Sequence, residues 1–240
     1  MKKYDVAIVG AGPAGVFAAY ELVEKKPGVR VVVLESGKDI YSRVCPIAAG
    51  KVKSCINSST CSLLRGAGGA GASSAPTGHS AAEFGGWLND YIDDEEVMKL
   101  IRYVDGINMR HGAPAKVFTT EGSTLGKRAL EYDLHLLDAS VRHLGTENNL
   151  RMLEQTYEYL KEKVEFHFLT PVSQIATDGK GDNMLVLADG TTLEAEYLIV
   201  APGRAGAEWF TDECKRLGVK LVNNQVDVGV RVEVPDAIFN

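Results

Sequence analysis

VAIVGAGPAG, residues 6–15, decides the fold: an apolar run gives way to three glycines at the spacing G-x-G-x-x-G. Residues 4–10 have the continuous apolar character of a short parallel strand buried on both faces. Residues 13–25 follow with apolar side chains at helical spacing (Val16, Ala19, Tyr20, Val23). Pro27-Gly28 stops that helix before a second apolar strand, Val29–Glu35. Strand, glycine turn, helix and strand form the unit that binds a dinucleotide. Gly10 permits the tight turn, Gly12 lets the backbone approach a pyrophosphate, and Gly15 lets the helix pack closely on the strand. Pro13 and Ala14 open the helix, whose unsatisfied N–H groups and dipole favour an anion. Glu35, followed by Ser36, stands 20 residues beyond Gly15. A carboxylate there binds a ribose hydroxyl and repels a 2′-phosphate, so the site suits FAD or NAD better than NADP.

The chain around this unit has 240 residues, 45% of them hydrophobic and 24% charged, which is the balance of a globular α/β protein with a sizeable core. Its net charge is −6, and no run of Lys or Arg is dense enough for a nucleic-acid surface. No apolar stretch is long enough to cross a bilayer. The opening Met1-Lys2-Lys3 resembles a signal peptide only until Asp5 and the glycines of the turn interrupt it, so the expected location is the cytoplasm. Cys45, Cys55, Cys61 and Cys214 do not have the pattern of a secreted disulfide framework, and no metal site is expected from them.

From about 41 to 87 the composition shifts to Gly, Ala, Ser and Cys, which marks a long loop of the functional kind. Within it, Arg65 precedes GAGGAGASS, a second candidate phosphate cradle in which Gly68, Gly69 and Ala70 present backbone to an anion or a flat ring. The spacings of Cys45, Cys55 and Cys61 match neither a C-x-x-C redox pair nor a zinc ribbon, so these read as free thiols. Arg43 is placed to reach a phosphate or the adenine side, and Arg204 to pair with cofactor or substrate. His79 and His111 are the histidines most easily imagined as proton donors, although a lone histidine without a visible partner is more often structural.

A helical insertion of about 90–163 follows the loop. The pattern predicts helices over 90–104, begun by Asn89-Asp90 and the acids Asp93–Glu96, and over 145–163. Short strands are expected at 164–169, 172–177, 184–187, 192–195 and 197–201, then a helix over 205–217 and a strand over 226–234.

The start of the chain resembles the FAD-binding domain of the glutathione-reductase-like flavoproteins. LIVAPGR, residues 198–204, resembles their second marker, with Pro202 in place of the usual Thr, and the strands of 164–195 fall where they place a small β-meander. The resemblance implies a Rossmann-like three-layer fold with a parallel sheet, FAD as cofactor, Ala201, Gly203 and Arg204 near the flavin, and the backbone of Val172 against the adenine. A closer likeness is to the FAD-dependent dehydrogenases, in CPI at 45–47, GAGGAGA at 66–72 and VDVGVRVEVP at 226–235. That likeness implies a FAD-binding domain over 1–225, the start of a substrate domain at 226–240, and C-terminal truncation, since no later Gly-Asp segment follows Arg204. The expected function is a flavin-dependent oxidoreductase that passes a hydride between its flavin and a small-molecule substrate or electron donor such as NAD(P)H. An NAD-dependent dehydrogenase or a non-catalytic dinucleotide-binding module stands as the alternative.

Overall fold

The structure is a computed structural model that describes residues 3–73, 77–79, 88–136, 139–177 and 183–223, together with 228 and 234. It divides into two compact units, residues 1–207 and 208–240. The first unit is built on strand β1 (Lys3–Val9), helix α1 (Pro13–Lys25) and strand β2 (Val31–Leu34). After the long loop come β3 (Thr77–His79), α2 (Asp94–Arg110), β4 (Phe118–Thr119), α3 (Leu125–Leu130), β5 (Ser140–His143) and α4 (Thr146–Lys161). The chain then returns to the main sheet through β6 (Glu165–His167), β7 (Val172–Thr177), β8 (Asn183–Leu187) and β9 (Thr192–Val200). Helix α5 (Ala207–Arg216) lies almost wholly in the second unit.

The main sheet has the order β6-β2-β1-β9-β8-β7. β6, β2, β1 and β9 are parallel, while β7, β8 and β9 form an antiparallel meander. The two strands expected at 192–195 and 197–201 are one continuous strand. Its first half pairs with β8 and its length pairs with β1, so the meander extends the parallel sheet directly. A second sheet, β3-β5-β4, is antiparallel; β4 and β5 lie between the two predicted helices, and β3 lies in the long loop before them.

Both faces of the parallel strands are covered, as a three-layer fold requires. Ile8 and Val33 are fully buried on the face shared with α1, and there they join Ala19, Tyr20, Ile107 of α2 and Leu160 of α4 in one core. Ala7, Val32 and Leu34 alternate with them and are equally sealed on the opposite face. Helix α2 starts at Asp94, later than the sequence pattern predicts, because Asp93 caps it by accepting the Glu96 amide at 2.9 Å. It runs on to Arg110. The strand expected over 226–234 lies outside the described residues, apart from Val228 and Val234.

Candidate dinucleotide site

Parallel strands bring their C-terminal ends to one side of a sheet, and here β1, β2, β6 and β9 end at Val9, Leu34, His167 and Val200 in register. β1 sends its chain to β2 on one side and has β9 on the other. The crevice at its end is therefore the switch point where ligands of open α/β sheets bind. Gly10 sits there with φ +104°, and a Cβ on it would collide with the Ala201 carbonyl. A Cβ on Gly15 would collide with the Gly10 carbonyl, which is the close approach of helix to strand expected of the third glycine.

The N-terminus of α1 is built differently from that of α2. Pro13 occupies the first turn, Gly12 caps it without any side-chain acceptor, and the first turn holds no acid. The amides of Ala14 and Gly15 belong to the group that has no intrahelical acceptor. Pro13 and Ala14 are exposed, and Gly12 is half-buried. The helix end thus offers donors and positive dipole charge to an anion.

Glu35 is buried, and its carboxylate joins two loops to the end of β2. Oε2 accepts the Ala11 amide at 2.8 Å, while Oε1 accepts the amides of Gly37 at 2.7 Å and Gly66 at 2.9 Å and the Ser36 hydroxyl at 3.3 Å. Gly37 is a residue that the sequence pattern did not single out. A Cβ there would collide with the Gly66 backbone, and its signal is a glycine two residues after the acid.

The second glycine loop lies directly on the first. The Gly68 amide donates to the Ala11 carbonyl at 2.8 Å, and a Cβ on Gly69 would stand 3.0 Å from Gly12 Cα. Gly66, Gly68 and Gly69 all have positive φ, so this path needs glycine at each of them. Gly69–Ser73 then forms a 3₁₀ turn in which Ala70 is exposed.

Arg43 is placed differently from the expectation that it reaches a phosphate. Its Nη1 donates to the carbonyls of Ala67 at 2.5 Å and Gly69 at 2.8 Å. Its Nε and Nη2 donate to Ser62 at 3.1 and 2.8 Å, and Nη2 also to Leu63 at 3.3 Å. The guanidinium is occupied within the loop as a clamp. Burial pulls its pKa down from the usual arginine value.

Leu169 and Thr170 donate their amides to the Gly37 and Glu35 carbonyls at 2.8 and 2.9 Å, which brings the start of β7, and with it buried Val172, to the Glu35 end of the crevice. On the other side, Ala201 follows β9 with its amide on the Val9 carbonyl at 2.8 Å. Gly203 turns the chain at φ +62°, and Arg204 is exposed in a short 3₁₀ turn. Arg65 ties this turn to the glycine loop through the Ala205 carbonyl at 3.3 Å.

His111 stands apart from this geometry. His111 is buried at the C-terminal end of α2, where Nε2 lies 3.4 Å from the Tyr20 hydroxyl and the ring packs on Tyr20 and Tyr159. Tyr20 is seven residues into α1 from Pro13, about 10 Å along its axis. His111 is therefore a core residue, and not a proton donor at the crevice. His79 lies in β3, opposite Val141 of β5. The four cysteines form no disulfide, and among the described residues no group of three or more His, Cys, Asp or Glu is placed to hold a metal. No helix among them is long and apolar enough to cross a membrane.

Both the fold and the crevice are those of a dinucleotide-binding protein, and comparison with known proteins specifies which. The family described as FAD binding domain matches residues 3–209, so this chain belongs to that family and its cofactor is FAD. An uncharacterised protein of Methanosarcina barkeri is 47% identical over 58 residues, 24% of this chain and 14% of that protein. Among solved structures, the chain is similar to the amino acid oxidase NikD of nikkomycin biosynthesis (15% identity, TM-score 0.48, 91% of this chain and 55% of that one). It is also similar to glycine oxidase from Geobacillus kaustophilus (19%, 0.47, 92% and 60%) and to cyclohexanone monooxygenase (14%, 0.43, 85% and 27%). The chain thus spans between about a quarter and three-fifths of the length of these solved proteins.

Proposed function

We propose that this chain is the FAD-binding part of a two-electron oxidoreductase of the FAD-dependent dehydrogenase type, within the glutathione-reductase-like flavoproteins. Its substrate is a small molecule and its electron donor is of the NAD(P)H class. The observation that carries the reading is the convergence of Gly10–Gly15, Glu35, Gly66–Gly69 and Ala201 at the ends of adjacent parallel strands.

The residues fit the cofactor. Gly12 and Gly69 leave no side chain between the two loops, and the amides of Ala14 and Gly15, which have no intrahelical acceptor, would hold the pyrophosphate together with the α1 dipole. Glu35 and Ser36 take the ribose end. The backbone at Val172 takes the adenine. The loop at Gly68–Ala70 and the turn at Ala201–Arg204 border the flavin end, where Arg204 is exposed and available to substrate or cofactor. When bound, the flavin supplies the hydride chemistry, so this chain's residues need to provide position, shielding and charge.

The test is a visible absorption spectrum of the purified chain, with any released cofactor identified by mass, followed by anaerobic addition of NADH or NADPH. Flavin bands, FAD in the extract and bleaching by either nucleotide are the expected results. A colourless chain that takes up no FAD on titration overturns the cofactor assignment. Bound FAD that no nicotinamide donor reduces overturns the donor class.

A further inference from the structure

We infer that the cavity between the start of α1, the second glycine loop and α4 is a binding site for a small uncharged molecule, mostly hydrocarbon, that carries one hydrogen-bonding group. This names a substrate class for the reaction proposed above. It rests on that reading for its role but not for its binding.

The cavity measures about 180 Å³. A cavity of about 150 Å³ lined by aliphatic and aromatic side chains is already large enough to hold benzene. Val16 and Phe17 of α1, Leu144, and Met152 and Leu153 of α4 supply most of the wall. Among the described residues, no Asp, Glu, Lys, Arg or His lines it. An ionised ligand would give up hydration here with no oppositely charged side chain among the described residues to replace it, which favours an uncharged ligand.

The polar groups of the wall narrow the class. The Asn149 side-chain amide donates to the Gly71 carbonyl at 2.8 Å, and the Thr156 hydroxyl donates to the Met152 carbonyl at 2.9 Å. Asn108 differs. Its backbone carbonyl accepts the amides of His111 and Ala113, but its carboxamide makes no hydrogen bond among the described residues. A half-buried carboxamide, in a wall whose other polar side chains already donate to backbone carbonyls, offers an N–H donor group and a carbonyl acceptor, which suits an alcohol, ketone or amide. The cavity also adjoins the cradle. Pro13, the first residue of α1, and Gly68, whose amide holds the Ala11 carbonyl, belong to the walls of both.

Fluorine NMR of fluorobenzene, 4-fluorobenzyl alcohol and 4-fluorobenzoate, each titrated into the full chain with FAD bound and after its removal, tests the inference. The alcohol is expected to bind most tightly, fluorobenzene more weakly, and the benzoate at least about tenfold more weakly than the alcohol. Asn108→Leu should bring the alcohol down to the level of fluorobenzene. Val16→Phe and Leu153→Trp fill the cavity from α1 and from α4, and each should abolish binding of both neutral probes. Benzoate binding equal to that of the alcohol overturns the proposal, as does alcohol binding unchanged in Asn108→Leu or in a folded cavity-filling variant. Because the cofactor-free protein is titrated too, failure to bind FAD and failure to bind the probes are read separately.

Discussion

Oε1 of Glu35 accepts the Gly66 amide at 2.9 Å, across 31 residues of chain. That bond fastens the second glycine loop to the end of β2. The other carboxylate oxygen fastens the first glycine turn through Ala11. One buried acid thus brings two loops that are distant in sequence to a single crevice. A carboxylate is suited to this task because it has only acceptors, and bonds from N–H groups to an ionised acceptor are about twice as strong as neutral ones. Glu35 is therefore both a ribose-binding candidate and a keystone of the cradle's shape.

Arg43 completes the arrangement from the other side by holding the carbonyls of Ser62, Leu63, Ala67 and Gly69. Because it acts through the loop, Arg43→Ala should weaken FAD binding by about tenfold or more, equivalent to at least about 1.4 kcal/mol. Millimolar guanidinium should restore much of the loss by refilling the vacated hole. Arg43→Lys should recover little, since a single ammonium cannot span four carbonyls arranged for a planar fork. Flavin fluorescence quenching on titration measures all three. Full affinity in Arg43→Ala would show that the loop holds its shape unaided.

The first βαβ unit was legible in the sequence because its signals are local: glycines at fixed offsets, Pro13 at a helix start, Glu35 at a strand end. The helices α2 and α4 were legible from their apolar periodicity, although the Asp93 cap moved the start of α2. Less local features were not. Residues 192–201 read as two strands because β9 changes partner along its length, from the neighbouring β8 at its start to β1, and β1 lies at the other end of the chain. Arg43 read as reaching a phosphate or the adenine side because its charge is visible and its acceptors, backbone carbonyls about 20 residues away, are not. Gly37 was missed for the same reason, since what forbids its Cβ is the Gly66 backbone.

Gly12 and Gly15 separate ligand approach from packing. Gly12 has φ −74°, open to any residue, and a Cβ on it would meet nothing nearer than Gly69 Cα at 3.8 Å. A Cβ on Gly15 would strike the backbone of the turn. Gly12→Ala should therefore leave the urea unfolding midpoint near that of the wild type and lower FAD affinity, because only the pyrophosphate competes for that space. Gly15→Ala should lose about 2 kcal/mol or more of stability along with the cofactor, as expected for overpacking. If Gly12→Ala keeps full FAD affinity, the pyrophosphate does not lie against the first glycine turn.

His111 makes stability depend on pH. Burial among Tyr20 and Tyr159 pushes its pKa below the ordinary histidine value, and the cations Arg110 and Lys163 push it the same way, while Glu24 opposes them. A base with a lowered folded pKa binds fewer protons folded than unfolded between its two values. Its stabilising contribution is therefore complete above the unfolded value, about 6.5, and is lost as pH falls from there toward the lowered folded value. His111→Phe keeps an aromatic ring against Tyr20 and Tyr159 but cannot take a proton. Urea unfolding midpoints measured from pH 8 down to pH 5 should fall more steeply for the wild type than for His111→Phe, with the gap opening below about pH 6.5. Parallel curves would mean that His111 is hydrated enough in the folded protein to titrate as it does in the unfolded chain.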